Sequence, residues 1–133
     1  MLDIQSRIQN ARVPVTIITI SGDIDSSNFQ TFQAYVDDQL AKGMQYALFN
    51  FQDLKRISSA GLRVIHTLFN KLRELHQDVN DDELRRKMSA GEYKSPYLKL
   101  TNLIPHVIDV FRLGGFDIYL EFFEDENTAL HSF

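Results

Sequence analysis

The sequence has 133 residues, a length that suits one domain and can bury a core without metals or disulfides. It contains no cysteine, which excludes disulfide scaffolds, thiolate zinc sites and cysteine nucleophiles and fits a reducing cytoplasm. A net charge of −4 argues against a nucleic-acid surface, and no apolar run approaches the roughly 20 residues of a membrane helix. We therefore expect a cytoplasmic, unexported protein whose partner is another protein rather than nucleic acid or a membrane.

Two strands open the predicted fold. Apolar and polar residues alternate over residues 2–8, which indicates a strand with one solvated face. Residues 13–20 are β-branched almost throughout, as in a strand buried on both faces, and Pro14 is tolerated near its start. The sequence Gly-Asp-Ile-Asp at residues 22–25 predicts the end of this strand.

The next elements are a helix and a short apolar strand. Ser27 and Gln30 have the spacing of a capping box, and Lys42-Gly43 is a typical C-terminal signal. The apolar residues between them lie on one helical face: Phe29, Phe32, Val36 and Leu40. Residues 46–51 then predict a strand at the centre of a partly parallel sheet.

A polar turn and a long amphipathic helix follow this strand. The helix runs to about His76, and its apolar residues recur with helical period: Leu62, Ile65, Leu68, Phe69, Leu72 and Leu75. Ser58 and Ser59 fall at its predicted N-cap, where a side-chain oxygen accepts hydrogen bonds from backbone N–H groups. Capping alone explains these serines, but the N–H groups and dipole of a helix start also suit a phosphate. A structural cap and a phosphorylation switch both stay open on this pattern.

Residues 77–96 differ in character, with charged and turn-forming residues throughout. We expect an exposed, mobile loop insertion in which Asn80 and Glu83 cap at most one short helical turn. Beyond it we predict a strand at residues 97–100, a helix with Pro105 in its first turn, and a last strand at residues 117–123. Asp125 is expected to cap a terminal helix.

Enzyme and metal chemistry find little support in the sequence. Asp23, Asp25 and Ser27 have the spacing that opens a calcium loop, but Asn28 stands where that loop needs Gly and Ala34 where it needs Glu. A serine hydrolase requires Gly two residues before its nucleophile, and the residue two before Ser59 is Ile57. The four histidines lie far apart without metal-site spacing. We therefore expect no catalytic residues, no metal and no cofactor.

Three motifs resemble the STAS domains of bacterial anti-sigma factor antagonists. Residues 57–63, Ile-Ser-Ser-Ala-Gly-Leu-Arg, resemble the family's signature between a hydrophobic strand and a helix. Residues 22–25 resemble its Gly-Glu-Leu-Asp turn, and residues 111–116, Phe-Arg-Leu-Gly-Gly-Phe, resemble its late passage from helix through glycine to strand. The resemblance covers nearly the whole chain except residues 77–96.

The resemblance implies an α/β fold, with a STAS-type mixed β-sheet of about five strands flanked by about four α-helices in one domain over residues 1–133. It implies a module that binds an anti-sigma factor, itself a serine kinase of the histidine-kinase-like ATPase type, and so releases a sigma factor or another regulator. In the family this kinase phosphorylates the serine after the motif's Asp, which aligns with Ser59, and a PP2C-type phosphatase restores binding. Ser58 replaces that Asp, and Ala60 replaces the motif's second hydroxyl.

The partner-binding residues implied by the resemblance come from two segments: Asp23, Asp25, Ser27, Asn28, Ser58, Ser59, Ala60, Gly61 and Arg63. A homodimer is also compatible with the family. A second class of function stays open, in which the domain is a scaffold or an accessory subunit of a larger assembly, such as a transporter-associated STAS protein, without phosphorylation.

Overall fold

A computed structural model describes residues 2–133, in which one mixed sheet carries helices on both faces. The strands are β1 (Asp3–Asn10), β2 (Pro14–Ile24), β3 (Ala47–Asn50), β4 (Leu54–Ile57), β5 (Leu98–Thr101) and β6 (Phe122–Phe123). The helices are α1 (Phe29–Ala41), α2 (Ser59–Leu75), α3 (Asp81–Ser89), α4 (Pro105–Leu113) and α5 (Glu126–His131), and a 3-10 turn spans Phe116–Ile118. The expected α/β fold is confirmed, with one strand and one helix more than predicted among these residues.

Strand β2 organises the sheet because it pairs with three neighbours. It is antiparallel to β1 along all of β1, and parallel to β3 in its middle and to β4 at its C-terminal end. The order β1-β2-β3-β5-β6 continues with parallel pairs to the far edge. The carboxyl ends of the parallel strands therefore meet at one edge of the sheet.

The two faces of β2 belong to different parts of the core, as its β-branched sequence predicts. Ile18 and Ile20 point into the main core beneath α1, α2 and α4, whereas Val15 and Ile17 pack on the opposite face with Ala129 of α5. All five side chains are inaccessible to solvent. Complete burial of a Val or Ile side chain contributes about 1.5–3 kcal/mol, so this strand anchors both layers.

The segment around residues 22–25 corrects the sequence interpretation. It is not a turn: β2 continues through Gly22 and Asp23 to Ile24, with a register shift between Gly22 and Asp23 where β2 pairs with β4. Gly22 has φ +102°, a left-handed conformation that glycine adopts without steric cost and that suits a bulge. The predicted polar turn after β3 correspondingly contains β4, a short strand held in place by its pairing with β2.

The start of α1 also differs from the prediction, because the Ser27–Gln30 capping box does not form. Asn28 is the N-cap residue and makes no side-chain bond to the helix. Ser27 instead donates both its N–H and its hydroxyl to the Asp25 carboxylate. A side-chain bond two residues back competes with the helix cap and prevails here.

Residues 77–96 are not simply an exposed loop, since nine of them form α3. Asn80 caps this helix by accepting a hydrogen bond from the Glu83 N–H at 2.8 Å, as predicted, but the helix continues well beyond one turn. Leu84 and Tyr93 are buried in the main core. The segment contains few apolar residues, but these two pack into the core and hold the segment against α2.

The region after α4 contains the last correction. Instead of one strand over residues 117–123, a 3-10 turn precedes a strand of only two residues, β6. Tyr119 and Leu120 are both buried although they are adjacent, a pattern that an alternating strand cannot provide. Pro105 in the first turn of α4 and the cap at Asp125, which accepts from the Thr128 N–H at 2.7 Å, agree with the prediction.

Candidate functional site at the β2–α2 edge

Two segments far apart in sequence meet where β2 and β4 end. The strands are parallel with Ile24 opposite Ile57, so the residues that follow both strands emerge at the same edge of the sheet. The Ser58 N–H donates to the Ile24 carbonyl at 2.8 Å and ties the start of α2 to the end of β2. We call the surface formed by residues 23–28 and 58–63 the β2–α2 edge. It contains every residue that the sequence assigned to partner binding.

The first half of this edge is a loop fixed by its own polar side chains. The Asn28 side chain accepts from the Asp25 N–H at 2.9 Å and donates to the Asp23 carbonyl at 2.8 Å. The Asp25 carboxylate accepts from the Ser27 hydroxyl at 2.5 Å and the Ser27 N–H at 2.8 Å. These bonds, first of all the one from the Ser27 hydroxyl, lower the pKa of Asp25. The loop therefore presents an ionised carboxylate in a defined conformation.

The second half begins with two serines in different environments. Ser58 is the N-cap of α2: its hydroxyl oxygen accepts from the Gly61 N–H at 3.3 Å, and its carbonyl accepts from the Leu62 N–H at 3.0 Å. Ser59 is the first residue of the helix and is exposed. The sequence could not separate these serines. The structure assigns the capping role to Ser58 and leaves the Ser59 hydroxyl facing solvent.

The remaining predicted residues of the edge divide between surface and interior. Arg63 is exposed and lies one turn after Ser59, so both residues share a face of α2. Ala60 is half-buried, whereas Gly61 is buried. A Cβ atom on Gly61 would lie 2.7 Å from Ile24 Cγ2 and 2.8 Å from Ile57 Cγ1. Gly61 therefore allows α2 to approach β2 and β4 closely.

Arg56 is an exposed residue of this region that the sequence interpretation missed. It lies on β4 in register with Asp23 of β2, so a positive charge flanks the acidic loop. The sequence does not reveal it because residues 54–57 are predicted to form a turn. The order apolar, Lys, Arg, apolar does not alternate as a strand usually does. The edge thus combines the carboxylates of Asp23 and Asp25 with the guanidinium group of Arg63, and the guanidinium group of Arg56 lies next to it.

Across residues 2–133, no group of three or more His, Asp or Glu side chains is arranged to hold a metal ion. In the same part of the chain no helix has the length and apolar character required to cross a membrane. The polar side chains at the β2–α2 edge carry hydroxyl, carboxylate, amide and guanidinium groups.

The mixed sheet and its helices have the fold of the STAS class of domains. The STAS domain family model matches residues 6–79, and the chain belongs to that family. The match ends at residue 79, just before α3.

Individual relatives carry a consistent description. BtrV of Bordetella bronchiseptica, provisionally named an anti-sigma factor antagonist, is 31% identical over 100 residues, which cover 75% of this chain and 70% of BtrV. A Thermotoga maritima crystal structure with the same provisional name aligns over 95% of this chain and 90% of its own, with 19% identity and a TM-score of 0.70.

SpoIIAA, named in its structures as an anti-sigma factor antagonist and as a Bacillus cell fate determinant, also shares this fold. Its unphosphorylated form aligns over 94% of this chain and 92% of its own, with 15% identity and a TM-score of 0.66. Its phosphorylated form aligns over 96% of both chains, with 16% identity and a TM-score of 0.62. The mixed α/β sheet described above is thus the SpoIIAA-type fold.

Proposed function

We propose that this protein is a phosphorylation-switched anti-sigma factor antagonist. It binds an anti-sigma factor, a serine kinase of the histidine-kinase-like ATPase type, through the β2–α2 edge and so releases a sigma factor or another regulator. Phosphorylation of Ser59 by that kinase breaks the complex, and a PP2C-type phosphatase restores it. The names of BtrV and of the similar folds support the general role.

The observation that supports the switch is that two adjacent serines have different environments. Ser58 is held by the Gly61 N–H, whereas Ser59 is exposed at the first position of a 17-residue helix. A kinase needs an accessible hydroxyl, which Ser59 provides. In the family motif an Asp precedes the modified serine, and here Ser58 supplies the capping oxygen at that position.

A phosphate on Ser59 would be stabilised without rearrangement of the domain. The N–H groups of Ser59 and Ala60 precede the first intrahelical bond, which runs from the Leu62 N–H to the Ser58 carbonyl. They and the positive end of the helix dipole suit a group carrying about −1.5 to −2 charges. Arg63, one turn along the same face, adds a cation, and no acidic residue occupies the first turn.

The same phosphate would weaken partner binding. It adds charge beside the ionised carboxylate of Asp25 and the acidic Asp23, on the surface where the partner docks. A partner surface complementary to the unmodified edge would then face repulsion and uncompensated desolvation. We expect a loss of binding free energy of about 2 kcal/mol or more.

The test is a set of single substitutions incubated with the cognate kinase and ATP. Wild type and Ser58→Ala should be labelled, and Ser59→Ala should not. In calorimetry against the unmodified partner, Ser59→Ala should bind as wild type does, whereas Ser59→Glu should bind about 30-fold more weakly, the equivalent of 2 kcal/mol. Ser58→Ala serves as the matched control because it changes a neighbouring serine that is already engaged in a cap.

Two results would contradict the switch. One is peptide mass spectrometry that places the phosphate on Ser58. The other is equal affinity of Ser59→Glu and Ser59→Ala, which would favour the alternative of a phosphorylation-independent scaffold or accessory subunit. Failure of every variant to bind an anti-sigma factor would refute the antagonist role itself.

A further inference from the structure

The two outer strands of the sheet are very different. At one edge, β6 contains only two residues. At the other, β1 contains eight residues and pairs with β2 over all eight without a register shift. Within residues 2–133, β2 is the only strand beside β1. A long, regular edge strand presents a row of backbone N–H and C=O groups to which another strand can pair.

Strand β1 lacks most of the features that usually protect an edge. It has no proline and no bulge, and seven of its eight residues are exposed. Ile4 packs against the main core, but Ile8, on the same face of the strand, is 70% exposed. A large aliphatic side chain at an open edge gains free energy when another chain covers it.

The charges of β1 indicate what that other chain is. Asp3 and Arg7 are four residues apart, lie on the same face of the strand, and are its only charged residues. In an antiparallel pair of two identical strands centred on Gln5, each Asp3 lies opposite an Arg7. A parallel pair would place like charges side by side, which is destabilising.

We propose that a second copy of this chain binds at β1 and forms a two-fold symmetric dimer in which the two sheets join antiparallel, centred on Gln5. Leu2 then covers Ile8 of the other copy, and Ile4 lies opposite Ser6. An isologous contact of this kind is the commonest symmetry of homodimers. The proposal is independent of the function proposed above, because it uses neither the β2–α2 edge nor phosphorylation.

The face on which each side chain of β1 lies limits the register of the pairing, and the buried area limits its strength. A slip by one residue would bring Ile8 to the wrong face of the joined sheet, so only registers two residues apart compete. The next one, centred on Ser6, places Asp3 opposite Gln9 and loses the charge match. Arg7 already contacts Glu126 of α5 but keeps half of its side chain exposed. Pairing of one short edge buries less than about 1,200 Å², so the dimer is concentration-dependent.

Charge reversal tests the pairing by sedimentation equilibrium of the full chain. Asp3→Arg places two positive charges opposite each other, and Arg7→Asp places two negative ones, so each variant alone should dimerise about tenfold more weakly than wild type. An equimolar mixture of the two variants restores both opposite-charge pairs and should recover the wild-type dissociation constant. A purely structural role of either residue would not be rescued by mixing.

A second pair of variants tests burial of the exposed isoleucine. Ile8→Lys should also weaken the dimer about tenfold, because a charge replaces the side chain that Leu2 of the other copy covers. Leu113→Lys is the matched control: Leu113 is 89% exposed on α4, away from β1, and its substitution should change nothing.

Cross-linking tests the register. The sequence contains no cysteine, so an introduced cysteine can pair only with the same residue of another copy. Gln5→Cys should form an intermolecular disulfide on mild oxidation because two copies of residue 5 lie directly opposite, whereas Ser6→Cys should not. A monomer at all concentrations, or a dimer that the charge and Ile8 variants leave intact, would overturn the proposal. Efficient cross-linking through residue 6 in place of residue 5 would overturn the register.

Discussion

The two ends of α2 perform opposite tasks. At its start, Ser58 caps the helix, Ser59 faces solvent, and Gly61 lets the first turn pack closely against β2 and β4. At its end, Arg73 is buried and binds α3: its guanidinium donates to the Val79 carbonyl at 2.9 Å and to the Asp81 carboxylate at 3.1 Å. The start of α2 therefore exposes a polar side chain to solvent, whereas its end buries one.

A chain of hydrogen bonds extends from the buried end toward the middle of the helix. Arg73 also donates to the Asn70 side-chain oxygen at 3.0 Å, which directs the Asn70 amide nitrogen to His66 Nε2 at 3.3 Å. The other ring nitrogen of His66 contacts the Tyr119 hydroxyl at 2.9 Å. Since Nε2 accepts from Asn70, the neutral ring carries its proton on Nδ1. This chain links α3, α2 and the segment after the 3-10 turn.

The difference between the two ends shows where local rules are sufficient. A helix cap depends on neighbours within a few residues, so the sequence predicts that one of the two serines caps α2, although it does not show which one. The arginine depends on a segment whose position is set by long-range packing. The exposed Ser59 at the start of α2 can therefore be changed at little cost in stability, whereas Gly61 beneath it and Arg73 at the buried end cannot.

The largest effect is expected at Gly61. Replacing a helical glycine by a residue with a Cβ usually stabilises by up to about 1 kcal/mol, but here the added atom would lie 2.7 and 2.8 Å from two isoleucine side chains. We expect Gly61→Val to lower the free energy of unfolding by about 3 kcal/mol, measured by urea denaturation. Ala60→Val, at the half-buried neighbouring position, is the control and should cost less than about 1 kcal/mol. Equal stability of the two variants would refute the close approach of α2 to β2 and β4.

A smaller effect is expected at Arg73. Arg73→Ala removes three hydrogen bonds and leaves the Val79 carbonyl and Asn70 without their donor, so we expect a loss of about 2 kcal/mol. The loss is moderated because the buried Arg73 Nε has no hydrogen-bond partner among residues 2–133. Arg63→Ala, an exposed arginine on the same helix, should change stability by less than about 0.5 kcal/mol. Hydrogen exchange should show faster exchange of α3 in Arg73→Ala only, and unchanged protection there would contradict the role of Arg73 in holding α3.

The smallest effect is the dependence of stability on pH through His66. Partial burial, and to a lesser degree the charge of Arg73, lowers the pKa of His66 below its ordinary value of 6.5. As the pH falls, His66 is therefore protonated in the unfolded chain before it is protonated in the folded chain. The contribution of neutral His66 to the free energy of unfolding is complete above pH 6.5 and is lost as the pH falls through and below 6.5. The urea concentration at the unfolding midpoint should decrease when the pH is lowered from about 7.5 to about 5.5. In His66→Gln the midpoint should depend less steeply on pH. The same slope in both proteins would exclude His66 as its cause.

Much of the architecture followed from patterns in the sequence. The buried β2, the amphipathic α2, the capped α5 and the sheet of an α/β domain all depend on periodicity, β-branching and short-range capping, which act within a few residues. The local rules also placed the start of α2 near Ser58 and Ser59. The family resemblance then implied that this helix start and residues 23–28 form one surface.

The tertiary structure decided what depends on partners distant in sequence. Strand β4 exists because β2 continues past Gly22 and pairs with it, and α3 is held because Leu84 and Arg73 connect it to the core and to α2. Neither a four-residue strand nor a nine-residue charged helix is stable alone, since each gains most of its free energy from contacts made after the chain has folded. For the same reason the roles of Ser58, Ser59 and Gly61 could be separated only when β2 and β4 were seen beneath α2. Residue types fixed which elements could form, and packing determined which of their side chains faced the solvent.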